Sequence, residues 1–453
     1  MLLSAGEAQM RAGNTQAAKR AFLDAAGIGR RLGLPRELAR AAAGYAREDM
    51  YLRAAGDDRL VPLLEEGLVA LADEDVALRV RLLARLAGAL RDEPSRDRRD
   101  RLSREAVALA RATESPSALA YALDGRVPVI IAPDTVAECL ALATELREVA
   151  ARIGDTLRVA HGHQHECITR VMLGDAGELD ASVHAMSRLT DELKQPAHLW
   201  EARAAKAVLA LAAGRFTEAE ELIEQALALG ERVKPEMVIP VYRLQRYTLC
   251  DFRGGVEKLE PAIRELVADW PARPAFRCAL AHLHARLGRR SEAQRALDDL
   301  TRDDCSALPF DQEWLYGMSL LAETAALLSD TDSAAVLYRL LVPWAAFNAA
   351  DWPEAIRGSA SRYLGILAAT TRRWDEAGMH FEDAVAMNAR MGARPWLAHT
   401  QHDYARMLLA RARTHDRESA RDLLNQALVT YRELGMETHA AGAVPTTRTG
   451  ARA

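Results

Sequence analysis

The chain has 453 residues, with 59 Lys and Arg against 64 Asp and Glu, a net charge of −5, and 49% apolar but only 5% aromatic residues. Arg alternates with Glu and Asp throughout, which excludes the concentrated basic face of a nucleic-acid binder, and no run reaches the roughly 18 apolar residues that span a membrane. The five cysteines (Cys139, Cys167, Cys250, Cys278, Cys305) lack any CxxC spacing, which excludes a disulfide framework and a cysteine zinc site and suits a reducing cytoplasm.

Glu7 and Arg11 interrupt the apolar segment that a secretory signal needs. Sparse Gly and Pro within Ala/Leu/Arg/Glu-rich stretches predict helix almost throughout. In chain order, "MRAGNTQAAKRAFLDAAGIGRRLG" (10–33) reads as helix, turn, helix. "RDEPSRDRRD" (91–100) is a loop, and the basic run Arg96–Arg104 is broken by Asp97 and Asp100. "VPVIIAP" (127–133) carries two prolines and has no partner strand, so it reads as a helix end and connection, with Asp134 capping the helix that follows. "MLGDAGELDASVHAMSRLTDEL" (172–193) repeats the first plan, and "LALAAGRFTEAEELIEQALALGER" (209–232) states it most fully. There a small-residue helix is followed by a Gly-Arg turn and a second helix carrying Ala219, Leu222, Ala226 and Leu229. "KQPAH" (194–198), "VKPEM" (233–237) and "ADWPARPA" (268–275) break the period as loops. The plan returns at 283–300 and at 367–392, where Trp374 stands in the place of Phe216. The stretch 440–453 loses all period and reads as a disordered tail.

Turn anchors fall 40 residues apart from Gly174 to Gly214 and from Gly214 to Gly254, then 34 to Gly288, 42 to Asp330 and 42 to Arg372. This helix–turn–helix period predicts an all-α, tetratricopeptide-like α-solenoid, a superhelix of antiparallel helix pairs, continuous over 1–439. Each pair exposes an apolar face that it buries only by stacking on its neighbours. Small residues bring the helices of a pair together, and Phe216 and Trp374 are placed as wedges in the core.

The only five lysines (Lys19, Lys194, Lys206, Lys234, Lys258) never follow a glycine, so there is no P-loop; GxSxG and HExxH are also missing. "HGHQHEC" (161–167) concentrates metal-ligand side chains. At about 100° per residue His161 and His165 share a helix face while His163 and Glu166 diverge. Two co-facial ligands fall short of the four of a closed zinc site or the three of a catalytic one. His184 lies on the next helical stretch. Leu157, Ala160, Gln164, Cys167, Ile168 and Val171 form a continuous arc with His161, His165 and Met172 at its edge, so helix packing is the expectation. No metal, cofactor or catalytic residue is expected; His161 and His165 are the candidates should a metal bind. His282/His284 diverge, and His399/His402 share a face without an evident third ligand. Trp200, Trp344, Trp396 and Tyr404 lie near helix starts or connections; packing is the favoured reading, and they are also the candidates to anchor a partner on a concave surface.

The repeats resemble the carboxy-terminal helical-repeat region of large actinobacterial signalling ATPases: regulators of the LuxR type, and relatives joined to adenylate or guanylate cyclase domains. The phrases that carry the resemblance include "GEAQMRAGNTQAAKRAFLDAA" (6–26), "DDRLVPLLEEGLVAL" (57–71), "RVRLLARLAGALR" (79–91), "SREAVALARATESPSALAYALDGR" (103–126), "GRFTEAEELIEQALALG" (214–230) and the whole of 361–411. It runs over roughly residues 5 to 436. The resemblance implies a non-enzymatic sensory or protein-interaction arm that binds a protein or small effector on its concave face. Family members commonly have an aromatic near the position of His165, which implies a packing role for that residue. The family's ATPase and helix-turn-helix domains are not visible in this sequence, so the expected partner is a separate ATPase or output domain, or the chain is a piece of a longer one. The alternatives are a metal-dependent enzyme using His161 and His165, or a stand-alone DNA-binding regulator; the acidic balance argues against direct nucleic-acid contact. Oligomeric state is not encoded legibly.

Overall fold

The structure is a computed structural model, and it describes residues 1–46, 51, 53–54, 56–72, 74–93, 95–232 and 235–443. Among the described residues there are 23 α-helices and one two-stranded antiparallel hairpin. The chain divides into two compact units.

The first unit comprises Met1–Thr169, Glu178–Ala202 and Ala226–Ile239. It contains the pairs α1 (Leu2–Arg11) and α2 (Thr15–Leu32), α3 (Pro35–Tyr45) and α4 (Leu60–Leu71), α5 (Val76–Ala89) and α6 (Asp97–Ala112), and α7 (Pro116–Ile130) and α8 (Val136–Arg152). Five helices contribute residues to both units: α9 (Thr156–Leu173), α10 (Ala176–Leu193), α11 (Pro196–Ala213), α12 (Phe216–Gly230) and α13 (Pro235–Arg253).

The second unit comprises Arg170–Gly177, Arg203–Gln225 and Pro240–Ala453. Here follow α14 (Glu260–Asp269), α15 (Pro274–Arg286), α16 (Arg290–Cys305), α17 (Trp314–Leu328) and α18 (Thr331–Leu341). The hairpin of β1 (Asn348–Asp351) and β2 (Ala355–Ser359) comes next. It leads into α19 (Ala360–Thr370), α20 (Trp374–Arg390), α21 (Arg394–Arg411), α22 (Asp416–Glu433) and α23 (Glu437–Ala443).

The all-α helical-repeat expectation holds. From α1 to α8, and again from α14 to α23, each helix packs on the next, and the first helices of successive pairs also pack on one another: α3 on α5 and α5 on α7, then α15 on α17, α17 on α19 and α19 on α21. That nearest-neighbour pattern is the packing logic of a solenoid. Pro274, in a stretch read as a loop, stands at the start of its helix, as Pro35, Pro116 and Pro395 do, where a missing N–H costs nothing. Asp75 and Asp330 start their helices by accepting from the backbone N–H of Leu78 and Ser333 at 3.0 Å.

The turn anchor Gly214 has φ +82°, and a Cβ there would meet Leu434 at 2.8 Å, so both conformation and space require glycine. Where Arg372 replaces it, the arginine itself adopts φ +61°. The aromatic wedge is real but not uniform. Phe22 is buried with its ring against Gly6 and Gly44, where an added Cβ would lie 2.8 and 2.4 Å from it; burying such a ring contributes about 1.5–3 kcal/mol. Phe216 is in the core as expected. Trp374 is only half-buried, and Phe381, seated on Gly365, fills that role in its pair.

Three local expectations need correction. The chain is not helical around 348–359: Arg357 to Ser359 end strand β2, which pairs Asn348 with Ser359, Ala350 with Ile356 and Asp351 with Ala355. Every residue of the two strands is buried, so neither strand shows the alternation that marks one in sequence. Asp134 does not cap α8. It sits inside a short 3-10 turn, where Thr135 Oγ1 accepts from Ala132 N at 3.0 Å and the Asp134 carboxylate pairs with Arg96. Finally, the period continues through α23 to Ala443, past the expected start of the tail; 444–453 lie outside the described residues. The segment 127–133 is a helix end and connection, as read.

Candidate functional site

The repeat period brings polar residues of successive first helices to the same height. Asp124 on α7, His161 on α9 and His198 on α11 are each 37 residues apart. Asp124 is 1% exposed and is held from two sides: His161 Nδ1 lies 2.9 Å from Oδ2 and His165 Nε2 lies 3.0 Å from Oδ1. Arg158 Nε stands 3.8 Å away. Burial pushes the Asp124 carboxyl up, but the two histidines more than offset it and leave it well below the usual carboxylate range. An ionised carboxylate only accepts, so His165 Nε2 carries the proton of that bond. His165 Nδ1 is then the acceptor for the Tyr51 hydroxyl at 2.7 Å. Burial raises the Tyr51 hydroxyl well above its ordinary value, which keeps it a donor. His165 is thus fully buried with both nitrogens engaged: it packs, and it offers no ligand atom.

His161 differs. It is half-buried and also faces α11, with its ring centroid 5.8 Å from that of His198. His198 and Glu201 are one helical turn apart, with His198 Nδ1 3.8 Å from Glu201 Oε2. One ligand atom from each of His161, His198 and Glu201 lies within 4.8 Å of the other two. The three line a cavity of about 530 Å³ in the first unit, together with Asp124, Tyr51, Gln164, Leu78, Arg40 and Arg81.

The other residues singled out in the sequence go elsewhere. His163 lies 3.3 Å from Glu166, whose carboxylate also meets Arg147 at 2.8 Å and Ser182 at 3.1 Å. His184 is exposed beside the Asp180 carbonyl. Trp200 is buried against Gly230, and Trp396 is buried against Phe252 and His399; neither presents a surface to a partner. Trp344 is half-buried, packed on Phe310 and Phe347. Tyr404 is half-buried on Phe381 and donates to Glu382 at 3.1 Å.

A second ladder runs along the first helices of the second unit. Tyr247 (α13) meets His282 Nδ1 (α15) at 2.7 Å, and His282 Nε2 lies 2.9 Å from Glu323 (α17). Glu323 pairs with Arg357 of β2 and, at 2.5 Å, with Arg362 (α19). Arg362 continues to Asp403 (α21) at 2.7 Å, and Arg286 holds Asp251 at 3.0 Å. Burial alone would raise the Glu323 carboxyl, but the two arginines and His282 hold it well below the ordinary range. Burial also lowers His399, His402 and His439, so these rings stay neutral. This ladder borders a cavity of about 300 Å³.

No protein-family model and no curated protein matches the chain. Among solved structures it is similar to a chain of the crystal structure of the APC/C hetero-tetramer Cut9-Hcn1. The identity is 13%, with 97% of this chain and 88% of that chain covered, and the TM-score is 0.47. Among the described residues no helix is long and apolar enough to cross a membrane.

Proposed function

We propose that the chain is the non-enzymatic sensory arm of a bacterial signalling or transcriptional regulator, and that it binds a small polar effector. The observation that carries this reading is the cavity of about 530 Å³ in the first unit. Its volume lies within the roughly 300–1,000 Å³ of small-molecule sites. Its wall combines apolar Phe22, Leu78 and Leu157 with polar groups from α7, α9 and α11. The resemblance of the repeats to those of ATPase-coupled regulators supports the signalling context. Effector binding then biases an output domain by its differential affinity for two states.

Direct DNA binding is not supported. In the most basic stretch Arg96 pairs with Asp134, Arg98 with Glu65 and Glu93, and Arg104 with Asp100. Arg99 is buried on the carbonyls of Arg91 and Glu93.

The test is a thermal-melt panel of small polar metabolites on the full chain and on Ala197→Trp, which fills the cavity from its α11 wall. An effector at a hundred times its Kd stabilises the native chain by about 2.7 kcal/mol. The substitution abolishes that gain. A gain of the same size in Ala197→Trp contradicts the assignment.

A further inference from the structure

We infer that His161, His198 and Glu201 bind a divalent transition-metal ion of the zinc class. The inference goes beyond the effector reading and stands without it.

The donor set comes first. Two imidazoles and one carboxylate suit zinc, cobalt(II) or iron(II), whereas magnesium and calcium prefer all-oxygen shells. Three protein ligands are also the number that leaves a coordination position open. The geometry comes second. The three ligand atoms lie within 4.8 Å of one another. A triangle with every side at that limit has its centre about 2.8 Å from each corner, against roughly 2.0–2.2 Å for zinc–nitrogen and zinc–oxygen bonds. An inward rotation of each side chain by well under 1 Å closes the site. His198 and Glu201 share one face of α11, and His161 comes from the neighbouring first helix α9.

Third is the support behind the ligands. Asp124 is almost fully buried and bonds His161 Nδ1 at 2.9 Å. That bond fixes the ring and makes Nε2 the ligating nitrogen, the carboxylate–histidine arrangement that accompanies most metal-bound imidazoles. His165, tied to the other oxygen of the same carboxylate, fixes Asp124 in turn. Fourth, His198 Nδ1 is buried and has no hydrogen-bond partner. A buried polar atom left so is costly, and native structures seldom keep one without a use. A metal ion shared with Glu201 satisfies it. The three ligands all line the cavity, so the open position faces the space in which an effector would sit.

The test uses the full chain, stripped with a chelator and titrated with zinc by competition calorimetry and with cobalt(II) by visible absorption. The expected result is one ion per chain, with the cobalt bands of a four- or five-coordinate nitrogen–oxygen site. His198→Ala and Glu201→Gln each weaken zinc by at least about a hundredfold, and Asp124→Asn weakens it roughly 10–100-fold. His184→Ala leaves it unchanged. Circular dichroism checks folding; the isosteric Glu201→Gln carries the test if His198→Ala unfolds. Absence of a stoichiometric ion overturns the inference, as does one that survives Glu201→Gln. The effector panel, run on stripped protein, separates the two readings. Zinc bound without any effector gain contradicts only the effector reading, and the reverse contradicts only this one.

Discussion

The two polar ladders occupy the same kind of position, on the first helices of successive pairs, yet their chemistry differs. In the second unit the carboxylates, Asp251 buried and Glu323 and Asp403 half-buried, are met by arginine: Glu323 by Arg357 and Arg362, Asp251 by Arg286, Asp403 by Arg362. In the first unit Asp124 is met closely by two histidines, and Arg158 stands farther off at 3.8 Å. A guanidinium has a fixed charge and a fork that fits a carboxylate. An imidazole can exchange its proton for a metal ion. The repeat supplies the geometry for both, and on the proposed reading the choice of cation makes one ladder a structural strut and the other a place for an ion.

Substitutions sharpen that contrast. Glu323→Gln strands two buried arginines and should lower stability by about 3–5 kcal/mol, read by urea denaturation. Asp124→Asn keeps the shape and loses charge-assisted bonds to neighbours that can lose a proton, so about 2–3 kcal/mol is expected. An equal or larger loss at Asp124 would break the comparison.

Acid should separate the ladders next. His399, His402 and His439 have folded values below the ordinary 6.5, so the unfolded chain takes up protons first as pH falls. Their contribution is complete above about pH 6.5 and is lost below it, at up to about 1.4 kcal/mol per pH unit for each ring. Urea midpoints at pH 7.5 and 5.5 measure the loss, and His399→Gln should flatten it; an unchanged slope assigns the loss elsewhere. The smallest effect is expected at Tyr51→Phe, which removes the hydroxyl from His165 Nδ1 and should cost about 1 kcal/mol at equilibrium.

The helices and their pairing were legible because the glycine turns recur and Ala- and Leu-rich faces keep a helical period. The hairpin at 348–359 was not legible. Its strand residues are all buried, and Asn-Ala-Ala-Asp and Ala-Ile-Arg-Gly-Ser carry neither alternation nor β-branched enrichment, so tertiary surroundings decide it. The histidine cluster was half legible. Within one helix, 161–167 shows His161 and His165 on a common face and stops there. The partners stand one repeat away, in "YALDGR" and "PAHLWEAR", which match no motif. The signal that could have found them was the period: 124, 161 and 198 are evenly spaced. The tryptophans follow the packing reading rather than the partner-binding one. Trp200 and Trp396 stand near helix starts, but the neighbouring pair covers those starts, and both rings are core.

The most direct test of the contrast is a crystal of the full chain grown with zinc and measured on both sides of the zinc absorption edge. One anomalous peak is expected, roughly 2.0–2.2 Å from His161 Nε2, a His198 nitrogen and a Glu201 oxygen, and none along the arginine-filled ladder. A peak on His282, His399 or His439 instead, or none at His161, would contradict it.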